Sequence, residues 1–393
     1  MRVLMVSDVY FPRVNGVSTS IETFRQTLAD EGVDVRLVVP RYADEGDEAG
    51  ITRIAGRKVP GDPEDRLVGW RAMHKAVAEA ATGCDLIHIQ TPFVAHYAGL
   101  AAARALGKPV LATYHTLFEE YLGHYAPFLP QGWLREQARR LSRRQCNQLD
   151  AVIVPSSAMR ERLQEYGVSS EMHVLPTGIP VESFAGGDRQ GFRYRHGILS
   201  TRPVALFVGR VAHEKNIGFL LQALGEARQQ CPDVLLLIAG EGPAMGDLKH
   251  QVKALGLRDS VQFIGYLDRA RDLPACYAAA DIFVFASRTE TQGLVLLEAM
   301  AAGLPVVALA EMGTIDILAP GEGALVPPAD QAAFGQAMAR LLNSVGLRAE
   351  LREQAKRYAG TWSDRAMAGR LAEVYRRQMR GRQVLGEACW ADG

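Results

Sequence analysis

The chain has 393 residues with 44 basic against 44 acidic side chains, so no global field draws it to nucleic acid, and its length suggests two domains. Hydrophobic residues make up 48%, enough for two cores, yet no apolar run approaches the ~18 residues of a spanning helix. The nine histidines show no HxxxH spacing, and Cys84, Cys146, Cys231, Cys276 and Cys389 form no CxxC, which points away from a metal centre and toward free thiols in a reducing compartment.

In chain order, the start MRVLMVSDVYFP reads as a strand, because its apolar run breaks at Ser7 and Asp8; it is not a signal peptide. A soluble or peripheral, cytoplasmic protein is expected. Val3–Ser7, Val35–Val39, Leu86–Gln90, Val110–Tyr114 and Val152–Pro155 are continuous apolar runs of the kind buried on both faces. Amphipathic stretches such as Val17–Asp30 and Val94–Leu106 lie between them. The alternation then restarts with Val204–Val208, Leu235–Ala239, Val261–Ile264, Ile282–Ala286 and Val306–Leu309. The stretch from Leu175 to Pro203 is rich in Gly, Pro and charge, as a linker would be. The expected fold is α/β: two Rossmann-like, doubly wound parallel-sheet domains facing a cleft, with residues 1–178 as the first domain and 179–362 as the second. A last helical pattern, about 363–380, has no strand after it and is expected to cross back onto the first domain.

Ligands of open parallel sheets bind beyond the carboxyl ends of the strands, so the residues just after each run carry the chemistry. Asn15-Gly16 precedes a helix, where a glycine admits close backbone approach and free N–H groups face an anion; an ordinary Asn-Gly turn is the plainer alternative. His115 ends a strand, suited to proton transfer or to a hydrogen bond with a sugar hydroxyl, although a structural histidine fits equally. Gly209-Arg210, with Lys215 five residues on, sets two cations at a strand end, a pattern for a diphosphate or a solvated charged loop. Gly240-Glu241-Gly242-Pro243 and Gly265 follow two further strands; without a third glycine the first is not the GxGxxG dinucleotide signature. Finally Glu290 precedes a helix that contains Glu298, and the amides around Gly293 and Leu294 are free for phosphate at its start. Each acid suits a vicinal diol, so the implied ligand is a nucleoside diphosphate sugar.

Glu290 to Glu298 resembles the EX7E motif of retaining glycosyltransferases with the GT-B fold, in particular glycosyltransferase family 4. Gly209-Arg210 with Glu214-Lys215-Asn216, Asn15-Gly16-Val17 and Tyr114-His115-Thr116 match that family in kind and order. The resemblance implies that Arg210 and Lys215 bind the donor diphosphate, Glu298 the ribose and Glu290 the transferred sugar. Gly16 is then expected to face phosphate and His115 to contact the sugar near the anomeric centre. No metal and no cofactor is expected, the nucleotide sugar being a substrate. Thr291-Gln292-Gly293 replaces the commoner Gly-Phe-Gly and looks like the form in glycosyltransferases that make glycosyl-diacylglycerols.

The acceptor is therefore expected to be a lipid, with a saccharide as the alternative. Residues 121–144 agree in composition: aromatic and leucine residues come first, then Arg135, Arg139, Arg140, Arg143 and Arg144 at helical spacing, suited to an anionic membrane surface. A helix packed on its own domain with a solvated basic face is the other reading. Transfer of glucose from UDP-glucose to diacylglycerol is the first expectation and GDP-mannose-dependent mannosyl transfer the second. An epimerase, a phosphorylase or a non-catalytic binding protein would share the scaffold without the acceptor chemistry.

Overall fold

A computed structural model describes residues 1–46, 48–59, 62–115, 131–269 and 271–391. The chain divides into two compact units, Met1–Gly178 with Asp364–Gly393, and Ile179–Ser363.

The first unit holds an eight-stranded sheet. Its strands are β1 (Arg2–Val6), β2 (Asp34–Arg41), β3 (Ile51–Val59), β4 (Asp62–Val68), β5 (Leu86–Ile89), β6 (Val110–Thr113), β7 (Ala151–Val154) and β8 (Glu171–Val174), in the order β4-β3-β2-β1-β5-β6-β7-β8. Every pair is parallel except the edge hairpin β3–β4. Val3–Val6, Leu86–Ile89 and Ala151–Val154 are buried throughout, which is why they read as unbroken apolar runs. The C-terminal helix Asp364–Ala391 packs on this sheet through Met367, Ala368, Leu371, Ala372 and Tyr375, an apolar stripe at helical spacing. Arg377 pairs with Glu171 at 2.9 Å and anchors the same helix to β8.

The second unit holds six parallel strands: β9 (Val204–Val208), β10 (Leu235–Ala239), β11 (Val261–Gly265), β12 (Ile282–Phe285), β13 (Val306–Ala308) and β14 (Ala324–Leu325), ordered β11-β10-β9-β12-β13-β14. The chain winds from β9 outward to β11, then returns to place β12 on the other side of β9. That reversal makes the β9–β12 seam the switch point of the sheet. Phe207, Phe283 and Phe285 stack at centroid distances of 6.0 and 6.1 Å in its core. Helix Ile217–Ala227 crosses helix Gln331–Asn343 at Gly335, where a Cβ would stand 2.5 Å from the Ala223 carbonyl oxygen.

The chain passes from the first unit to the second between Gly178 and Ile179, within the stretch from Leu175 to Pro203, but most of that stretch is ordered. It carries the short helices Val181–Phe184 and Arg189–Arg195, both built into the second unit. Arg193 is buried, donates to the carbonyls of Ala279, Leu199, Ser200 and Arg202, and meets Asp281 at 3.1 Å. A buried guanidinium with every direction satisfied reads in sequence like a solvated charge.

Candidate active site

The carboxyl ends of β9 to β13 bring together most of the residues singled out in the sequence. Gly209 follows β9, Gly242 lies beyond β10, Gly265 ends β11, and Glu290 with Gly293 follows β12. Part of the glycine content has an internal cause. A Cβ on Gly240 would stand 1.9 Å from the Gly209 carbonyl oxygen, and one on Gly242 would stand 2.3 Å from that of Val211. These loops pack backbone on backbone, held by Gly209 N to Ala239 O at 3.0 Å and Val211 N to Glu241 O at 2.9 Å. The glycines after β9 and β10 thus form the floor of the site before any ligand is considered.

On that floor stand two acid–base pairs. The Lys215 ammonium donates to Glu290 across the β9–β12 seam, with both side chains about one-fifth exposed. Lys215 is delivered there by the turn His213–Lys215, after which Asn216 takes φ 54° and ties its amide to the Ala286 carbonyl at 3.2 Å. Glu298 is buried and receives the Arg269 guanidinium and the Tyr277 hydroxyl, the latter at 2.9 Å. Burial and the Glu298 carboxylate together hold the Tyr277 phenol well above its usual range, so it stays a donor. Arg210 is exposed, and no partner faces its guanidinium among the described residues.

Helix Leu294–Ala301 begins at Gly293, whose φ of 94° turns the chain sharply into it. Among the described residues no acceptor meets the amides of Leu294 and Val295, so two N–H groups point out of the helix start. The loop after β13 closes over this corner. Gly313 N donates to the Glu290 carbonyl at 2.9 Å, and a Cβ on Gly313 would lie 2.1 Å from Thr291 O. Met312 beside it takes φ 51°, an uncommon conformation for a side-chain-bearing residue and of the kind that collects at functional sites.

The first unit supplies its own set. Asn15 caps helix Gly16–Thr27 by accepting from Ser18 N at 2.8 Å. A Cβ on Gly16 would meet nothing within 4 Å, so no internal packing demands glycine there. His115 lies just past β6, with Nε2 3.0 Å from the Gln90 amide oxygen. Burial lowers its pKa to about 4, so the imidazole is neutral near pH 7. A neutral ring offers one nitrogen as donor and the other as acceptor. Asp8, which in sequence only ends the first apolar run, accepts from Thr91 Oγ1 at 2.7 Å and from Ala95 N at 3.1 Å, and so caps helix Val94–Leu106 from another element. Burial raises its pKa to about 6 against the lowering effect of those bonds.

Chemically, the second unit offers carboxylates for diols, cations and free amides for a diphosphate, and a seam at which they converge. Among the described residues no group of three or more His, Cys, Asp or Glu could hold a metal ion. Arg269 and Tyr277, the partners of Glu298, carried no motif in the sequence. Their only signal was position: Arg269 follows β11, and Tyr277 is a polar ring inside an apolar helix.

Comparison with known proteins agrees with this geometry. Residues 14–183 match Glycosyltransferase Family 4 and residues 188–358 match Glycosyl transferases group 1. An alpha-monoglucosyldiacylglycerol synthase from Streptococcus pneumoniae is 35% identical over 322 residues, covering 78% of this chain and 71% of that protein. The chain belongs to glycosyltransferase family 4. Another relative in this family, a GDP-mannose-dependent alpha-(1-6)-phosphatidylinositol monomannoside mannosyltransferase from Mycolicibacterium smegmatis, is 29% identical over 398 residues, covering 97% of this chain and 100% of that one. Among solved structures, sucrose-phosphate synthase from Thermosynechococcus elongatus superposes with TM-score 0.77 at 22% identity, covering 97% of this chain and 100% of the other. Anabaena Alr3699/HepE in complex with UDP gives 0.76 at 19% identity, covering 95% of this chain and 99% of the other. At those identities the likeness establishes the GT-B fold of this glycosyltransferase.

Proposed function

We propose that this glycosyltransferase moves a hexose, with retention at the anomeric carbon, from a nucleoside diphosphate sugar to a membrane lipid bearing a free hydroxyl. Glucosyl transfer from UDP-glucose to diacylglycerol is the leading form. The observation that carries the reading is the Lys215–Glu290 pair at the β9–β12 seam, with two helix-start amides that have no acceptor among the described residues and exposed Arg210 in the loop after β9. In this reading Arg210, Lys215 and the Leu294 amide take the diphosphate, Glu290 the sugar hydroxyls and Glu298 the ribose. Gly16 admits close approach of phosphate, and His115 hydrogen-bonds the sugar. As the glycosidic bond to the diphosphate breaks, charge grows on the leaving phosphate, and the two cations stabilise it without a divalent ion. The leaving phosphate oxygen accepts the proton of the acceptor hydroxyl on the same face.

The lipid acceptor is supported by Thr291-Gln292-Gly293 and by the name of the S. pneumoniae relative. Helix Gln131–Cys146 adds to it. Leu134, Ala138, Ser142 and Cys146 are buried against the unit, while Trp133 is 54% and Leu141 44% exposed on the face that carries exposed Arg140 and Arg144. An apolar edge within an arginine face suits the anionic inner surface of a membrane. The aromatic residues expected to extend this surface, 121–130, lie outside the described residues. No helix among those described is long and apolar enough to cross a membrane.

The second reading is mannosyl transfer from GDP-mannose to a phosphoinositol or lipid-linked acceptor. It is favoured by the M. smegmatis relative, whose match runs almost the whole chain. Labelled UDP-glucose and GDP-mannose, each offered with anionic liposomes that contain diacylglycerol or a total lipid extract, decide between them. Label entering the organic phase from UDP-glucose is the expected result. Label from GDP-mannose alone selects the second reading, and label found only in water overturns the lipid acceptor.

A further inference from the structure

Two side-chain rungs cross the parallel β5–β6 pair on one face. Strands alternate their side chains, so His88 and Gln90 share a face of β5 and its extension, as Thr113 and His115 do on β6. The backbone register, Ile89 beside Ala112, brings these positions within reach. The lower rung joins His88 Nε2 to Thr113 Oγ1 at 2.8 Å, and the upper one joins Gln90 Oε1 to His115 Nε2 at 3.0 Å. Behind the lower rung, His88 Nδ1 lies 2.6 Å from the hydroxyl of Tyr375 on the C-terminal helix. His88 and Gln90 are buried at the sheet and Tyr375 on the helix packed against it, so these polar groups are held in one arrangement.

We propose that Gln90 is a positioning residue for the transfer reaction: its amide oxygen accepts from Nε2–H of His115, fixing the tautomer whose Nδ1 is left as a hydrogen-bond acceptor for a hydroxyl of the transferred sugar. This rests on the assignment of His115 to the sugar in the proposed function. Which ring nitrogen carries the proton is set by the bond the other makes, and here one bond is already placed. Nδ1 has no partner among the described residues, and it is not one of the polar atoms sealed from solvent without a partner. An amide suits this position where a carboxylate would not. It orients the ring without stabilising the imidazolium, and a protonated ring has no acceptor to offer. The titratable group facing His115 from β5 is His88, which burial keeps neutral, so no neighbouring charge there competes for the ring.

The test uses the full-length protein carrying 15N-histidine, with long-range 1H–15N correlation at pH 7 and donor kinetics in parallel; loss of one signal in His115→Gln gives the assignment. The wild type is expected to show His115 protonated at Nε2. Gln90→Leu should yield a mixture of tautomers and lower kcat by up to about 100-fold, with donor KM changed far less. Gln90→Glu should keep the Nε2–H tautomer but move the His115 titration, and the acid limb of kcat with it, to higher pH. Protonation at Nδ1 in the wild type, or Gln90→Leu with unchanged tautomer and kcat, overturns the proposal. Normal transfer by His115→Ala would instead remove the histidine's role in the proposed function. Impaired His115→Ala beside inert Gln90 variants removes only the positioning.

Discussion

Lys215 and Glu290 meet across the seam where the second sheet reverses direction, one from the loop after β9 and the other from the loop after β12. Both are on loops held by hydrogen bonds of their own: the Asn216 side-chain amide donates to the Ala286 carbonyl, and Gly313 N to the Glu290 carbonyl. The pair is therefore a product of the site's architecture rather than a support for it. A hexose that hydrogen-bonds Glu290 takes its place beside, or in exchange for, the ammonium. Glu290→Ala is expected to lower turnover by at least about 100-fold, with a melting temperature within a few degrees of wild type. Transfer kinetics alongside calorimetry check it, and near-full activity would remove Glu290 from the reaction.

Glu298 differs because it is buried. Glu298→Gln keeps a partner for the Tyr277 hydroxyl but leaves Arg269 without its carboxylate. The expected cost is about 1–3 kcal/mol of stability, with a rise in donor KM that exceeds any fall in kcat. Denaturant titration and steady-state kinetics read the two effects separately. A fall in kcat alone would place Glu298 at the chemical step instead of on the ribose.

The glycines separate into structural and ligand-facing by one comparison. Gly242→Ala drives a Cβ to 2.3 Å from the Val211 carbonyl oxygen, so it should destabilise the second unit. Gly16→Ala meets nothing within 4 Å and should leave the melting temperature unchanged while reducing transfer. Thermal melts of both variants, with donor kinetics for Gly16→Ala, test the division. Unaltered kinetics in Gly16→Ala would mean that no ligand approaches that residue.

Stability should fall as the medium is acidified from pH 7 to 5, chiefly in the first unit. Burial lowers His88 to about 3 and His96 and His115 to about 4, below the ordinary value near 6.5. The unfolded chain then binds more protons than the folded one between those values, so stability is complete above pH 6.5 and is lost as pH falls toward 4. Asp8 works the other way. Raised to about 6, it favours the fold increasingly as pH drops from 6 toward 3.8. Three histidines outweigh one aspartate, and at about 1.4 kcal/mol per pH unit of displacement the net loss by pH 5 is several kcal/mol. Denaturation midpoints at the two pH values measure it; equal midpoints would show the histidines to be solvated.

Much of this was legible in the sequence because it obeyed single-segment rules. β1, β5, β9 and β12 are short apolar runs, Glu290, Arg210 and Lys215 fall in loops after strands, and Glu298 lies in the helix that follows Glu290. What escaped depends on partners distant in sequence. β3 and β4 form an edge hairpin too polar to stand out, and β8 is a short edge strand with half-buried side chains. Arg193 looks solvated until Asp281, 88 residues away, is placed beside it. Arg269, Tyr277, Gln90 and Asp8 act through groups that only the folded sheets bring near. His115 was found at its strand end, but its neutrality follows from burial, which the letters around it do not report.

The basic helix Gln131–Cys146 yields the prediction that most directly separates a lipid acceptor from a soluble one. Trp133, Arg140 and Arg144 are exposed on one side of the helix, so replacing all three by alanine should leave the melting temperature almost unchanged. Each arginine near an anionic surface contributes about 1 kcal/mol, and the indole adds its own burial. Partition onto anionic vesicles should therefore fall at least about 30-fold, the loss shrinking as salt rises within the range where charges are screened. Turnover on vesicle-borne acceptor should fall in parallel, whereas hydrolysis of donor without acceptor should not. Co-sedimentation with anionic and with zwitterionic vesicles measures this. If the triple variant binds anionic vesicles like the wild type, the arginine face is a solvated surface and membrane attachment through this helix is wrong.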